Sequence, residues 1–477
     1  MTEERINAER VFHYFREISK IPRCSKKEEH ISQYLYDWAR SKELEVIQDK
    51  QKNIIIFKEA SKGYENAPTV ILQGHMDMVC EKNSDKVHDF GKDPISLVYK
   101  NDFIYADGTT LGADNGIAVA MILAILESNN LEHPAIEALI TTDEETGMTG
   151  VANLDGTLLN GRIMINLDSG DEGKFLAGCA GGGRLYFSTD IMKEESQYHN
   201  AFKLIVKGLK GGHSGAEIHL DRGNANKIMG RLLYQIKDLV ELVEIGGGSA
   251  ENAIPREAFA VIKTNHHDEM SKKIDHLLLE LKNEFKFSDP EIDISIESTN
   301  SNHTRVFDKK IFDQYLNLIN LVPCGPLKIT NEIDLVILSN NPGVVKVVDK
   351  KIQLICAPRS SIASLLEDFV VKMEQLGIVT GFKLEKMAFY PGWEYAKESL
   401  VRDICLRAFK DIFGKDAEVK AIHAGLECGF IMEKIPGLDA ISFGPNMYNL
   451  HSPDEHLSIS STERTFELLK EVIKRIK

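Results

Sequence analysis

The chain has 477 residues, of which 43% are hydrophobic and 27% are charged, and its formal net charge at pH 7 is −15. This length exceeds what one ordinary hydrophobic core supports, so we expect two domains. The acidic balance argues against nucleic acid and anionic membranes as partners, because both require a basic face, and no apolar run reaches the roughly 18 residues of a membrane span.

The N-terminal sequence MTEERINAERVFHYF is charged and lacks the apolar core of a signal peptide. The seven cysteines are odd in number and scattered, and none belongs to a C-x-x-C pair. These features predict a cytoplasmic protein whose thiols are reduced and either buried or inert.

Two amphipathic helices are predicted to open the chain, AERVFHYFREISKI and EEHISQYLYDWARSKEL. Ser25 and Glu28 have the spacing of a capping box, which predicts that they cap the second helix. The segments KNIIIF and PTVILQG, which come next, are typical of buried strands.

A loop rich in glycine and aspartate, DFIYADGTTLGADNG, leads into GIAVAMILAILESN. That segment is apolar on most sides, which predicts a buried helix. The strands IEALITT and GRIMINL follow, so strand and helix alternate as in an α/β domain. Glu144, Glu145 and Asp168 come directly after these two strands, at the edge where open α/β sheets bind ligands.

The pattern changes after CAGGGR. The strands LYFSTDI, FKLIVKG, FAVIKTN and DISIES are separated by long helical segments, which predicts an α+β domain inserted into the first. We therefore predict an α/β domain with a mixed sheet and flanking helices at residues 1–184 and 390–477, and an inserted domain at 185–389. No internal repeat is apparent.

The segment TVILQGHMDMVC places a histidine and an aspartate two residues apart at the end of a predicted strand. If the strand continues this far, His75 and Asp77 lie on one side of it. A histidine that binds a metal through one nitrogen while a carboxylate holds the other has this arrangement. The H-x-D tripeptide recurs at His219–Asp221 and His266–Asp268, so alone it is a weak signal.

Five groups form a candidate metal site together: His75, Asp114, Glu145, Asp168 and His451. Each also has an ordinary explanation, since Asp114 could cap the helix after it, Glu145 could be solvated beside Glu144, Asp168 could be a turn residue and His451 a surface residue. Four of the five follow apolar β-type segments, however, so they would meet along one edge of one sheet.

Two imidazoles and three carboxylates suit two divalent ions, with zinc favoured and manganese or cobalt as alternatives. A bridging carboxylate would hold the ions about 3.5–4 Å apart with a shared water. Glu144 is the candidate general base for that water, because it neighbours Glu145 and would point elsewhere.

The insert contains His213 in GLKGGHSGAEIH, Asn252 in ENAIPRE and Arg359 in CAPRSS. A histidine among glycines is more often a turn feature than a catalytic group. A metal-dependent hydrolase nevertheless needs donors for a developing oxyanion, and a guanidinium matches a substrate carboxylate.

The motifs HMD, GADNG, TTDEETG, NLDSGDEG and HSPDEH resemble, in order, the site of the dizinc exopeptidases related to glutamate carboxypeptidase. The motifs GLKGGHSGAEIHLDRGNANK, ENAIPREA, YPGWEY and HAGLECG are similar to the aminoacyl-histidine dipeptidase branch of that family. The resemblance implies that Asp114 bridges two Zn²⁺ ions per subunit. It further implies that His75 and Asp168 bind one ion and that Glu145 and His451 bind the other.

The resemblance also implies that Asp77 orients His75 and that Glu144 is the general base. It implies a lid domain, matched by the insert, in which His213 stabilises the tetrahedral intermediate, Arg359 binds the substrate carboxylate and Asn252 lies near the substrate. In this family the smaller domain usually mediates homodimerisation.

The candidate site and the family resemblance together imply a cytosolic dipeptidase that cleaves Xaa-His and other unblocked dipeptides by a metal-bound hydroxide. Two alternatives remain at this point. A deacylase of N-acyl amino acids would use the same metals, and only a substrate panel distinguishes it. A binding or scaffold protein that keeps the fold without catalysis would lack zinc and would be indifferent to a chelator.

Overall fold

The computed structural model describes residues 8–299, 304–330 and 335–477. The chain divides into two compact units, Met1–Gly178 with Tyr395–Ala421 and Leu426–Lys477, and Cys179–Glu394 with Ile422–Gly425. The second unit differs from the predicted insert at 185–389 by residues 179–184, 390–394 and 422–425, which the prediction placed in the first domain. The Ala180 amide donates to the carbonyls of Ile422 and Ala424, at 3.1 and 3.0 Å.

The helices of the described residues are α1 (Ala8–Ile18), α2 (Glu29–Ser41), α3 (Ala113–Glu127), α4 (Thr149–Ala152), α5 (Ala225–Ile236), α6 (His267–Glu284), α7 (Lys309–Leu321), α8 (Ala363–Thr380), α9 (Leu400–Phe413), α10 (Glu427–Lys434) and α11 (Ile459–Arg475). The strands up to the middle of the chain are β1 (Glu45–Gln48), β2 (Ile54–Lys58), β3 (Val70–His75), β4 (Leu97–Lys100), β5 (Phe103–Ala106), β6 (Ile136–Thr141), β7 (Ile163–Asn166), β8 (Lys174–Cys179), β9 (Gly181–Asp190), β10 (Lys193–Glu195), β11 (Asn200–Lys207) and β12 (Gly212–His213). The later strands are β13 (Glu241–Gly247), β14 (Ala253–Ile254), β15 (Ala258–Thr264), β16 (Asp293–Ser298), β17 (Arg305–Phe307), β18 (Gly325–Thr330), β19 (Leu335–Val348), β20 (Lys351–Ser360), β21 (Lys383–Tyr390), β22 (Glu418–Ile422), β23 (Asp439–Ser442), β24 (Met447–Tyr448) and β25 (His456–Ser458).

The first unit is built on a mixed sheet with the strand order β1-β2-β6-β3-β7-β23-β8-β22. The four strands β6, β3, β7 and β23 are parallel, whereas β1 and β2 add to β6 in antiparallel pairs. Parallel strands end at a common edge, so the residues that follow β3, β6 and β7 are brought together. The predicted α/β class and mixed sheet are confirmed.

Helix α3 lies in the core of this unit. Its side chains are buried from Ile117 through Met121 to Ile125 on every face, which confirms the prediction of a buried helix. Each fully buried Ile or Met contributes roughly 1.5–3 kcal/mol of transfer free energy. Neither α3 nor another helix in the described part of the chain is long and apolar enough to cross a membrane.

The second unit contains a nine-stranded sheet that is built from two copies of the same strand-and-helix motif. Its order is β16-β11-β15-β13-β19-β20-β9-β21, with β18 beside β19. The elements β11-α5-β13-β15-α6-β16 form one β-α-β-β-α-β motif, and β9-α7-β19-β20-α8-β21 form a second that the first interrupts. The second strands of the two motifs, β13 and β19, pair antiparallel at Gly247 and Val345. The repeat lies in the backbone path, and the sequence does not display it.

The predicted capping box is wrong. Helix α2 begins at Glu29, and its N-cap residue Glu28 makes no side-chain capping hydrogen bond. Ser25 Oγ donates to Asp77 Oδ2 at 2.7 Å, and Glu28 Oε1 accepts from the amides of Lys26 and Asp143 at 2.8 and 3.0 Å. Both side chains therefore bind tertiary or turn partners instead of the helix end.

The prediction that all thiols are reduced is also wrong, because Cys24 and Cys80 form a disulfide. The backbone around Cys24 pairs with Met78, and the Met78 amide donates to the carbonyl of Arg23 at 3.1 Å. This pairing brings the Cα atoms of the two cysteines to 5.6 Å, within disulfide range. A sequence separation of 56 residues gives no sign of it.

Candidate metal centre

Most of the predicted metal ligands lie at the carboxyl ends of strands in the first unit. Strand β3 ends at His75, β6 is followed by Glu144 and Glu145, and β7 is followed by Asp168. His451 comes from the loop between β24 and β25. The structure thus brings these side chains to one edge of the sheet, as the sequence predicted.

Asp114 faces both histidines. Its Oδ1 lies 3.2 Å from His75 Nε2, and its Oδ2 lies 3.3 Å from His451 Nε2. His75 Nε2 is also 3.6 Å from Asp168 Oδ1, and His451 Nε2 is 3.1 Å from Glu145 Oε2. We refer to these five residues as the metal cluster.

Asp114 lies in the first turn of α3 but does not cap that helix. The N-cap residue is Gly112, which makes no side-chain capping bond, and the backbone of Asp114 is non-helical. The next residue, Asn115, accepts from the His75 amide at 3.2 Å and donates to the Leu167 carbonyl at 3.0 Å. Asn115 therefore links the three segments that carry His75, Asp114 and Asp168.

Asp77 lies beside His75, as predicted from the H-x-D spacing. Its Oδ1 is 3.3 Å from His75 Nδ1 and accepts from the Glu144 amide at 3.1 Å. Its Oδ2 accepts from Ser25 Oγ at 2.7 Å and from the Glu145 amide at 3.3 Å. Burial would raise the pKa of Asp77, but the nearby His75 ring and hydrogen bonds from Ser25 Oγ and the Glu144 amide outweigh burial and lower that pKa.

Burial sets the charge balance of the cluster. It raises the pKa of Asp168 and of Glu145, and it raises the pKa of Glu144 well above its ordinary value. Burial also opposes ionisation of Asp114, but hydrogen bonds with His451 and His75 lower the pKa of this carboxyl group. Carboxylates that are buried close together repel one another when they are ionised. They therefore need a nearby positive charge to remain ionised at the same time.

The donor set fits divalent cations. Potential ligand atoms lie within 4.8 Å of one another in three groups: His75 with Asp114 and Asp168, Asp114 with Glu145 and His451, and His75 with Glu144 and Glu145. The first two groups share Asp114. Glu145 Oε1 is buried without a hydrogen-bond partner, which is the state of an oxygen that a cation would satisfy. The other two H-x-D tripeptides, at His219 and His266, enter no such group in the described part of the chain.

The second unit holds a set of hydrogen-bond donors. His213 Nδ1 accepts from the amides of Gly215 and Ala216 at 3.2 and 2.9 Å, which assigns the proton of the neutral ring to Nε2. Burial and the charge of Arg359 lower the pKa of His213. This histidine is therefore a neutral donor through Nε2.

Arg359 and His423 complete that set. Arg359 donates from Nη1 to the hydroxyl of Tyr390 at 2.8 Å. His423 Nε2 lies 2.7 Å from Ser339 Oγ, and burial together with Arg359 lowers the pKa of His423 to about 3. We refer to His213, Arg359, Tyr390 and His423 as the donor cluster.

Gly215 separates two members of the donor cluster. A Cβ atom at Gly215 would lie 3.0 Å from His213 Cε1 and 3.2 Å from Arg359 Cζ. Asn252 is joined to this region through its carbonyl, which accepts from the Ser214 amide at 2.8 Å, and its side chain is exposed. The structure therefore brings His213 and Arg359 together and leaves the Asn252 side chain in solvent.

Sequence reasoning missed a buried acid in the first unit. Glu427 Oε2 accepts from Gln73 Nε2 at 2.7 Å and from Thr141 Oγ1 at 2.6 Å, beneath the ends of β3 and β6. Burial raises the pKa of Glu427 to about 7. Only its place in the quoted HAGLECG motif pointed to it.

Known proteins are similar to this chain over nearly its whole length. The model of peptidase family M20/M25/M40 matches residues 71–475. The chain is 39% identical over 471 residues to the cytosol non-specific dipeptidase of Escherichia coli (strain K12), covering 97% of this chain and 96% of that protein. The crystal structure of aminoacylhistidine dipeptidase from Vibrio alginolyticus has a TM-score of 0.94 at 36% identity and covers 100% of this chain and 99% of that chain.

A more distant structure shows the fold alone. An M20 family metallo-carboxypeptidase from Sulfolobus solfataricus is 16% identical, with a TM-score of 0.54 over 97% of this chain and 98% of that one. The three matches above confirm the resemblance that the sequence motifs indicated.

Proposed function

This chain belongs to peptidase family M20/M25/M40 and is a metallo-dipeptidase, and we propose that it cleaves unblocked dipeptides, including Xaa-His, with two zinc ions. The proposal rests chiefly on Asp114, whose two carboxylate oxygens face His75 and His451. A carboxylate shared between two imidazoles is the arrangement expected of a residue that bridges two ions.

His75 and Asp168 would hold one ion, Glu145 and His451 the other, and Asp114 both. When bound, the two cations polarise the scissile carbonyl and lower the pKa of a water molecule. Cobalt or manganese would suit the same nitrogen and oxygen donors. Asp77 would fix the ring of His75 through Nδ1, which leaves Nε2 for the metal.

Glu144 would act as the general base. Its carboxylate makes no hydrogen bond among the described residues, whereas that of Glu145 lies 3.1 Å from His451. Asp77 accepts hydrogen bonds from the amides of both residues and so fixes their backbone. The two side chains that leave this fixed backbone would have different roles. Glu144 would take a proton from the attacking water and pass it to the leaving amine.

The donor cluster would bind the anionic parts of the substrate. His213 would donate from Nε2 to the developing oxyanion. Arg359 would bind the free carboxylate of the dipeptide with its guanidinium, held in place by Tyr390. Asn252 would contribute an exposed amide to substrate binding. A requirement for a free carboxylate would explain a preference for short, unblocked peptides.

We also propose that the protein is cytoplasmic, that the second unit acts as a lid, and that the protein is a homodimer formed through this unit. Helix α8 supports the last point, because it exposes the apolar side chains of Val371, Ile378 and Val379. Light scattering of the purified chain tests the dimer, and a mass equal to one chain would exclude it.

The substrate is tested with a panel containing β-alanyl-histidine, alanyl dipeptides, a tripeptide and an N-acetyl amino acid. We expect hydrolysis of the dipeptides and little of the other two. Cleavage of the acetylated compound alone would move the assignment to a deacylase of N-acyl amino acids.

The base is tested with Glu144→Gln while bound zinc is quantified. We expect kcat to fall about 10²–10⁴-fold with the zinc content retained. Glu194→Gln is the matched control, because Glu194 is an exposed glutamate on β10 of the second unit. Full activity in Glu144→Gln would exclude Glu144 as the base.

A further inference from the structure

The backbone just before Asp114 is held by a carboxylate from a distant part of the chain. The first amides of a helix have no partner within it, and a side chain at the N-cap usually satisfies them. Helix α3 has Gly112 at that position, so it has no side chain of its own for this task. Segment 111–114 must therefore find its acceptors elsewhere.

Glu455 supplies those acceptors. Its Oε2 accepts from the amides of Leu111 and Gly112 at 2.9 and 3.1 Å. Its Oε1 accepts from the amides of Ala113 and Asp114 at 2.8 and 3.3 Å. The side chain of Glu455 is only 2% exposed. One buried carboxylate thus binds four consecutive amides in the segment that leads into α3.

Arg23 holds the same segment through a carbonyl group. Its Nη2 donates to the Gly112 carbonyl at 2.6 Å, and its Nη1 donates to the carbonyls of Met76 and Asp77 at 3.1 and 3.3 Å. Gly112 has a φ of +68°, and a Cβ atom there would lie 2.5 Å from Arg23 Nη2. A side chain at this position would be strained and would displace the Arg23 guanidinium. The segment is therefore fixed on both its amide and its carbonyl groups.

The side chain of Asp114 takes no part in holding this segment. Glu455 binds the amides of residues 111–114, and the Asp114 carboxylate faces His75 and His451. Glu455 also lies four residues after His451, and its amide donates to the Ser452 carbonyl at 3.0 Å. The same residue thus ties the loop of His451 to the segment of Asp114.

We propose that Glu455 is a positioning residue that fixes the backbone of Asp114 relative to His451 and so sets the spacing of two metal ligands. The inference rests on the proposed role of Asp114 and His451 as ligands of one ion. Glu455 itself binds amides and contributes no atom to the metal cluster. Its removal should weaken metal binding through the geometry of Asp114.

The test uses Glu455→Gln in the full-length protein. Glutamine keeps the size of the side chain but replaces one oxygen by an NH₂ group, which cannot accept from two of the four amides. We expect faster hydrogen exchange at residues 111–114 of the metal-free protein. We also expect a 10–100-fold loss of zinc affinity in chelator competition, as for other residues that orient metal ligands.

Asp454→Asn is the matched control, because Asp454 is exposed in the same loop and also carries a negative charge. It should leave both readouts unchanged. Glu455→Asp keeps the charge but shortens the reach, so a role in positioning requires that it also weakens zinc binding. If Glu455→Gln does not fold, zinc affinity and hydrogen exchange are measured in Glu455→Asp instead.

The inference is overturned if zinc affinity and exchange at 111–114 are the same in wild type and in a folded Glu455 variant. It is also overturned if Asp454→Asn weakens zinc binding as much as Glu455→Gln, because loop charge alone would then explain the loss. If wild type binds no zinc at all, the proposed function fails instead. Hydrogen exchange then still decides whether Glu455 holds the segment.

Discussion

The metal cluster and the donor cluster have opposite electrostatic character. In the first unit, burial raises the pKa of Glu144, Glu145 and Asp168, so their ionised forms need cations nearby. In the second unit, burial and the charge of Arg359 lower the pKa of His213 and of His423, so both rings are neutral near pH 7.

This difference indicates a division of tasks between the units. A group of buried carboxylates is suited to holding metal ions, and it would repel an anionic substrate if no metal were bound. A fixed guanidinium and the neutral His213 ring, which donates from Nε2, are suited to a carboxylate and to a developing oxyanion. Removing a residue from either cluster should therefore change a different measured quantity.

The largest expected effect is that of Asp114→Asn. Loss of the shared anionic carboxylate should release most of the bound metal and lower kcat/KM by about 10³-fold or more, since metal polarisation is worth several kcal/mol. Zinc content and dipeptide hydrolysis are measured together. Asp221→Asn, in an H-x-D tripeptide outside the metal cluster, is the control. Two retained zinc ions in Asp114→Asn would contradict a bridging role.

Arg359→Met should affect binding and leave the chemistry largely intact. Hydrogen bonds to a charged group are worth about 1.5–3 kcal/mol, so KM for a free dipeptide should rise about 10–100-fold with kcat little changed. The same variant should have a much smaller effect on a dipeptide amide, which lacks the carboxylate. An equal loss for both substrates would mean that Arg359 does not bind this group.

Ser25→Ala should have a smaller effect, on the metal cluster only. It removes the hydroxyl that donates to Asp77 Oδ2 at 2.7 Å, so the ring of His75 should be held less firmly. We expect zinc affinity to fall about 10-fold. Ser84→Ala, at an exposed serine, is the control. Zinc affinity equal to that of wild type would show that Asp77 does not need Ser25.

The last expected effect concerns stability instead of binding, and it is a pH dependence that arises in the donor cluster. The pKa of His423 is about 3 in the folded protein because of burial and then Arg359, against about 6.5 in an unfolded chain. The unfolded chain therefore binds the proton first, and the free energy of unfolding falls as the pH drops below about 6.5.

His423 should contribute a slope of about 1 kcal/mol per pH unit between pH 6 and 4. Urea unfolding of wild type and His423→Gln at several pH values measures it, and the variant should show a shallower dependence. Parallel curves for the two proteins would mean that His423 titrates normally in the fold.

Periodicity and composition were sufficient for much of the fold. Apolar runs predicted the strands β3, β6 and β7, and the continuous apolar segment of α3 predicted a buried helix, because both patterns follow from local geometry and burial. The same runs located His75, Glu145 and Asp168 at strand ends. The topological repeat of the second unit was not predictable, since its two motifs share a backbone path without a visible sequence pattern.

The partners of individual polar side chains depended on the tertiary structure. Ser25 and Glu28 have the spacing of a capping box, yet they bind Asp77 and the amide of Asp143. Cys24 meets Cys80 only because β-type pairing aligns their segments. Glu455 binds the amides of segment 111–114 from more than 300 residues away.

The sequence by itself therefore determined that His75, Glu145 and Asp168 end or follow strands, whereas Asp114 lies in the first turn of α3 and His451 in a loop. The tertiary structure decided which amides, hydroxyls and thiols each of those residues meets. The physical reason is that hydrophobic periodicity is a local property of the chain, whereas a hydrogen bond or disulfide between distant segments forms only when the packed sheets and helices bring its two atoms within reach.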